Sequence, residues 1–542
     1  MEDPSLLGLV NTNDHRRIGR MFMVSALGFF AATAVLSALV SLDLTSSDDF
    51  VVFDADSWAQ AFALTRDASI FLVLLPFFVG LAMYVVPAQI GAKTLAFPRA
   101  ALASFFTWKF ASLVLIGAYL VNGGPYGGVR GDAEGVDLHL IALGTTVAAL
   151  LLGVVVVVTT IFSMRAPGLN LSDVAPFTWA SFVTGVGLLL TLPVLIAMTS
   201  FLYIDHRYSE RFDADFLGGN VGVWDHIEWV YRAPTLYLFL VPVLGVMAEI
   251  LPVAARRRVL LPAISAMAVG GVAMFGLGAW TQLNGVEGST ITDGWQGIVY
   301  LGMFSGAKLA VLVVIALHLA TLGLNRTVPP TTAPFLGALG AAILLAIGVV
   351  HGGLGAGLDW LESVGWDWRD TLGLDPAAAL RLTTWNDAQF LLTVGAGALG
   401  IAAAMNWWAP LVFGRHMNPA LSRLTVLALL GGAFIGGLGP ALAGLLTGQP
   451  GGPATNSIYD FIADPSTALN TIGAVGVVIF AAGVALLALD VIVSLLLGKG
   501  AEADDDPWGG FTAEWDTTHE DLPALTSGTP LLDARDAEEV SV

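Results

Sequence analysis

The chain has 542 residues, 56% of them hydrophobic and only 12% charged, with a net charge of −20 and no cysteine. The acidic balance excludes a basic surface for nucleic acid. The missing thiols exclude disulfides, thiolate zinc sites, cysteine-ligated iron–sulfur clusters and covalently attached c-type haem.

Charged residues are scarce against the roughly 25% usual in soluble domains, and the mean hydropathy of +0.77 comes from long apolar runs. A run of about 20 apolar residues crosses a bilayer core as a helix, which satisfies its own backbone in lipid. The fold class is therefore all-α: a polytopic membrane protein whose surroundings are the lipid bilayer.

The chain opens with a polar segment, Met1 to Gly19, and no cleavable signal peptide is expected there; residues 1–17 read as a cytoplasmic N-terminal segment. Twelve spans follow within a membrane domain of 18–497: 18–41, 68–90, 100–121, 138–163, 176–200, 231–254, 259–280, 296–322, 333–351, 387–410, 424–446 and 469–497. Between the ninth and tenth lies the longest loop, 352–386, with Trp360, Trp366 and Trp368 placed to meet the membrane interface. Residues 498–542, opened by Glu502-Ala503-Asp504-Asp505-Asp506, read as an acidic flexible cytoplasmic tail.

Alternate loops differ in charge. One set carries Arg16, Arg17, Arg20, Lys93, Arg99, Arg165, Arg256, Arg257, Arg258, Arg326, Arg415, Arg423 and Lys499. The other carries Asp43, Asp48, Asp49, Asp205, Glu210, Asp359, Glu362 and Asp367. The positive-inside rule puts the basic set and both termini in the cytoplasm, as an even number of spans requires. The expected location is the plasma membrane of a prokaryote.

Strings at the span edges are more specific. They are Asp14-His15-Arg16-Arg17-Ile18-Gly19-Arg20, Val86-Pro87-Ala88-Gln89-Ile90-Gly91-Ala92 with Ala96-Phe97-Pro98-Arg99, Met164-Arg165-Ala166-Pro167-Gly168, Thr191-Leu192-Pro193-Val194-Leu195, and Trp407-Trp408-Ala409-Pro410 with Gly414-Arg415. In order, spacing and span number, over residues 10–497, the chain resembles subunit I of the haem–copper oxidases. That resemblance implies a twelve-helix bundle in three pseudo-symmetric arcs, reduction of oxygen with proton pumping, and two haems and a copper ion, CuB, held by six histidines.

The family's ligand positions, carried across residue by residue, hold other side chains here. The low-spin haem histidine of the second span aligns with Thr65. The His-Pro-Glu-Val-Tyr motif of the sixth reads Ala233-Pro234-Thr235-Leu236-Tyr237, so Ala233 replaces a copper ligand while Tyr237 keeps the tyrosine. The seventh span's His-His pair reads Gln282-Leu283, and the tenth span's two haem histidines fall on Ala388 and Phe390. Lys308 in Ser305-Gly306-Ala307-Lys308 matches the lysine of a proton channel, whereas the aspartate at the mouth of the other channel is Thr94.

Imidazole is what suits haem iron and copper, so no haem, copper or other metal is expected. The intramembrane ionisable groups Lys109, Lys308, Asp490, His139, His318 and His351 are functional candidates because such groups are costly in lipid. Each also has an ordinary reading: a lysine on backbone carbonyls, a satisfied histidine, or, for Lys109 and Asp490, an ion pair that locks the bundle. Tyr237 reads as a packing aromatic.

The function expected is a cofactor-free structural or regulatory subunit of a respiratory membrane complex, paired with an oxidase subunit II-like or III-like protein. Two alternatives stay open: a proton or ion channel on the same scaffold, and an active terminal oxidase with ligands drawn from His139, His318 or His351.

Overall fold

The structure is a computed structural model that describes residues 11–45, 52–124, 133–208, 234–278, 295–324, 329–363, parts of 365–380, 383–449, 451, 467–516 and 525–541. Among the described residues it is all-helical apart from an isolated bridge between Arg415 and Glu502. Twelve helices lie at the twelve expected places: α1 His15–Asp43, α2 Ser57–Gln89, α3 Pro98–Leu120, α4 Ala133–Ser163, α5 Pro176–Tyr208, α6 Pro234–Ala254, α7 Pro262–Gly278, α8 Trp295–Gly323, α9 Ala333–Ser363, α10 Thr384–Phe413, α11 Pro419–Thr447 and α12 Thr467–Leu496. Ten have described stretches long and apolar enough to cross a membrane, and α6 and α7 are shorter apolar helices.

Several expected boundaries move, two of them by more than ten residues. α2 begins before residue 68 because Asp54 caps its first turn, its carboxylate accepting from the Ser57 amide at 2.8 Å. That bond also holds the Asp54 carboxyl below its usual range. The added turns contain Asp, Gln, Thr and Arg, so hydropathy alone misses them, yet they put Thr65 and Arg66 on a helix. A π-helical stretch, Ala68–Leu74, then joins these turns to the apolar half of α2. α9 likewise runs on to Ser363, into the stretch expected as loop, where its Asp359 carboxylate accepts the Leu380 amide at 2.8 Å.

Of the ten long helices, α2 and α10 are the most enclosed, with 94% and 83% of their most apolar windows buried; the shorter α6 is buried along nearly all of Leu238–Ala254, and these helices form the middle of the bundle. Close packing rests on small residues, as in membrane helices generally. At the crossing of α1 and α2, a Cβ on Gly19 would lie 2.6 Å from the Gly80 carbonyl oxygen, so no larger residue fits.

The acidic C-terminal segment is not the free tail its charge suggests. Residues 499–516 and 525–541 pack on the basic-loop end of the bundle and close with α13, Pro530–Ser541. Phe511, Ala513, Trp515, Leu525 and Leu532 are buried there. The acids obscure a spaced set of apolar anchors, and these, rather than the mean charge, decide where the segment sits.

Candidate functional site

At the acidic-loop end of the bundle, α2 brings Thr65 and Arg66 opposite the start of α10. The Arg66 guanidinium forms an ion pair and hydrogen bond with the Asp387 carboxylate. Its carbon lies 4.6 Å from the ring centroids of both Phe62 and Phe390. The cation is thus held by one anion and two ring faces, contacts that strengthen each other where water is scarce.

Thr65 donates its hydroxyl back to the Phe62 carbonyl at 2.7 Å. Ala388 is fully buried. Hydroxyl, methyl and phenyl groups offer haem iron none of its usual axial ligands, and Phe390 is engaged with Arg66. Thr65, Ala388 and Phe390 do not fit a haem held between α2 and α10. Ala233, Gln282 and Leu283 lie outside the described residues. Tyr237 lies on the first turn of α6.

The remaining intramembrane candidates separate rather than converge. His318 sets Nδ1 against the Val314 carbonyl of its own helix at 2.8 Å. His351 sets Nε2 against the Trp385 carbonyl at 2.9 Å and stacks on the Trp385 ring at 3.8 Å. His139 meets Tyr119 in a T-shaped contact at 5.0 Å, and neither of its ring nitrogens has a hydrogen-bond partner among the described residues. Tyr119 donates to Asp67 at 2.5 Å. Among the described residues no group of three or more His, Asp or Glu side chains is arranged to hold a metal ion.

Lys308 is buried on α8 and donates to the Gly352 carbonyl of α9 at 3.1 Å. Asp490 is fully buried on α12 and accepts from Ser422 at 2.9 Å, Ser494 at 2.6 Å and the Asn418 amide at 3.0 Å. It therefore locks α11 to α12 through hydroxyls. The ion pair with Lys109 does not form: Lys109 lies over the Phe29 ring at 4.3 Å.

A second polar cluster closes the basic-loop end. Gln89, at the end of α2, donates to Glu249 of α6 at 3.1 Å and to Glu514 of the C-terminal segment at 2.9 Å, and accepts from Thr178 of α5 at 2.7 Å. Glu249 also accepts the Phe177 amide at 2.9 Å. Glu514 also accepts Trp408 Nε1 at 3.2 Å, but its Oε2 has no partner among the described residues.

An unpaired buried carboxylate oxygen is costly, and neutralisation removes the charge. Burial pushes the Glu514 carboxyl up from its ordinary value, against the lowering effect of its bonds from Gln89 and Trp408. Trp407 fixes the same segment by stacking on Trp508 at 5.7 Å, meeting Trp515 edge-on at 5.7 Å, and accepting Trp508 Nε1 on its carbonyl at 2.9 Å. Further out, Arg258 pairs with Asp533 of α13 at 2.5 Å, a bond that raises the arginine's pKa.

Residues 17–359 match the family model described as Cytochrome C and Quinol oxidase polypeptide I. The chain belongs to this family. Among its relatives, the heme-copper oxidase subunit I+III of Aeropyrum pernix is 27% identical over 96% of this chain; the alignment spans 62% of that longer protein. A probable cytochrome c oxidase subunit 1-alpha of Streptomyces avermitilis is 26% identical, covering 98% of this chain and 90% of the relative. Cytochrome c oxidase subunit 1 of Bacillus subtilis is 24% identical, covering 93% and 78%. A cryo-EM structure of a heme-copper terminal oxidase dimer superposes with a TM-score of 0.65 at 14% identity, covering 97% of this chain and 90% of that one. At that identity the likeness concerns the fold.

Within this family fold, Arg66, Asp67, Asp387, Glu249 and Glu514 carry the strongest polar contacts that sequence reasoning missed. Four of them are ionisable groups inside helices that span the bundle, a signal that was available. The fifth, Glu514, is one acid among many in a segment whose charge points to solvent.

Proposed function

We propose that the chain is a cofactor-free member of the oxidase subunit I family that serves as a structural or regulatory subunit of a respiratory membrane complex in a prokaryotic plasma membrane. The observation that carries this reading is the Arg66–Asp387 pair between Phe62 and Phe390. It joins α2 directly to α10 one residue from Thr65 and Ala388, where the family resemblance places haem ligands, and Phe390, a third such position, faces its cation. The whole-chain bundle is retained around it, which favours a role that uses the scaffold. A relative that is a heme-copper oxidase subunit I+III, and a terminal oxidase dimer of similar fold, support an assembly with other oxidase subunits of the II-like or III-like kind.

A transport role has less to rest on. A cavity among α2, α4, α5 and α6, lined by Phe78, Val157, Ser181, Thr184, Phe239 and Pro242, measures about 30 Å³, room for a water or two. Lys308 donates to a carbonyl. Oxygen reduction with substitute ligands would have to draw on His318 and His351, each already hydrogen-bonded to a carbonyl, or on His139 alone.

The test is an optical spectrum of the purified protein, oxidised and dithionite-reduced, with iron and copper analysis. Absence of a Soret band and of stoichiometric metal is expected. A Soret band with about one iron per chain or more would overturn the reading and direct attention to His139, His318 and His351.

A further inference from the structure

Lys109 stands at the midpoint of α3, eleven residues from each end of Pro98–Leu120. At the helical rise this is about 16 Å from either end, farther than a lysine stem can snorkel. Its side chain is half-buried, and Phe106, Phe110 and Leu113 of the same helix point outward beside it. The Phe29 ring of α1 supplies one face for the ammonium, and no carboxylate among the described residues pairs with it. A cation at this depth is retained in membranes when an anion meets it.

The adjoining surface of α1 is built for close approach. Gly28 and Ala32, four residues apart, are exposed, and a Cβ on Gly28 would meet nothing within 4 Å. Small residues at this spacing let another helix backbone come near. They set the distance of approach, and the charge sets what the incoming helix must carry.

The chain's own described intramembrane carboxylates are engaged elsewhere: Asp67 with Tyr119, Glu249 with Gln89 and the Phe177 amide, Asp387 with Arg66, Asp490 with Ser422 and Ser494. A symmetric dimer through this face would bring two lysines together. The occupant is therefore a different polypeptide.

We propose that the α1/α3 face around Lys109 docks a transmembrane helix of another subunit that carries an aspartate or glutamate at mid-bilayer depth, paired with Lys109. This deepens the reading of the chain as a subunit of an assembly and does not depend on whether haem is bound.

The absence of cysteine permits a direct test. Single cysteines at Ala32 and Leu113, and control cysteines at Leu190 on α5 and Leu427 on α11, all exposed, are labelled with a photocrosslinking maleimide in native membranes. Crosslinks from positions 32 and 113 to one membrane polypeptide are expected, and the crosslinked peptide should contain an acidic residue within its apolar segment. Lys109→Met should cut that yield about tenfold while Lys109→Arg keeps it within about twofold. Purified alone, Lys109→Met should melt no lower than the parent, which separates lost docking from misfolding.

Adducts with lipid only, with a second copy of this chain, or with a span lacking a carboxylate would overturn the proposal, as would an unchanged yield in Lys109→Met. Crosslinks from the control positions alone would leave the assembly standing and remove this docking face. Crosslinks from no position would remove both.

Discussion

The two ends of the bundle treat buried charge in opposite ways. At the acidic-loop end Arg66 meets Asp387 and the charges neutralise each other between two rings. At the basic-loop end two carboxyls, Glu249 and Glu514, approach one glutamine with no cation between them. The first arrangement is an ion pair that joins two core helices. The second draws the C-terminal segment into the bundle and depends on a proton. One end is locked, and the other is fastened by a contact that solution conditions can loosen.

The largest expected effect is at the fastening. Trp515→Ala removes a fully buried ring that meets Trp407, and truncations of this kind cost about 3–5 kcal/mol. Residues 499–541 should then become sensitive to limited proteolysis while α1–α12 stay protected. Intact protection would show that the Glu514 cluster, Trp508 and Arg258 suffice to hold the segment.

Next is the lock. Asp387→Ala strands Arg66 in a mostly buried site, and breaking such a pair costs up to about 3 kcal/mol. Removing both charges in Arg66→Met/Asp387→Leu should restore most of the detergent melting temperature. A double variant as unstable as the single one would mean that the pair is more than a substitute for apolar contact.

His139→Phe provides a smaller test from the same end. The buried imidazole has no partner on either nitrogen, so an aromatic of similar size should raise stability by about 1 kcal/mol. A loss of stability would reveal an unseen partner for the ring.

The smallest effect is a pH dependence. The Glu514 carboxyl is raised by burial, so the docked segment binds this proton more tightly than the released one. Docking is therefore strongest at and below the ordinary glutamate range, weakens as pH rises from there to the raised value, and levels off above it. Protease protection of the segment should fall across that interval, and Glu514→Gln should flatten the profile. A profile unchanged by Glu514→Gln would place the titrating group elsewhere.

Most of the helical framework was legible in the sequence, because lipid leaves a chain few ways to satisfy its backbone. Long apolar runs had to be helices, and edge strings such as Val86-Pro87-Ala88-Gln89 and Trp407-Trp408 pointed to the family. The same strings acquire a second meaning in the structure, where Gln89, Trp407 and Trp408 are the residues that receive Glu514, Trp508 and Trp515. That was not legible, since it depends on a segment about a hundred residues or more away whose composition points to solvent.

The sequence by itself determined the class of the molecule, the order of its helices and the alternation of loop charge. These follow from composition and local order. Only the tertiary structure decided which charges meet. Arg66 and Asp387, separated by 321 residues, were both in view, yet nothing local joins them. Lys109 and Asp490 invited pairing, and the packing gives Asp490 to hydroxyls and leaves Lys109 on the outer surface. A buried charge selects its partner by depth and facing in the assembled bundle, coordinates that a linear chain does not carry.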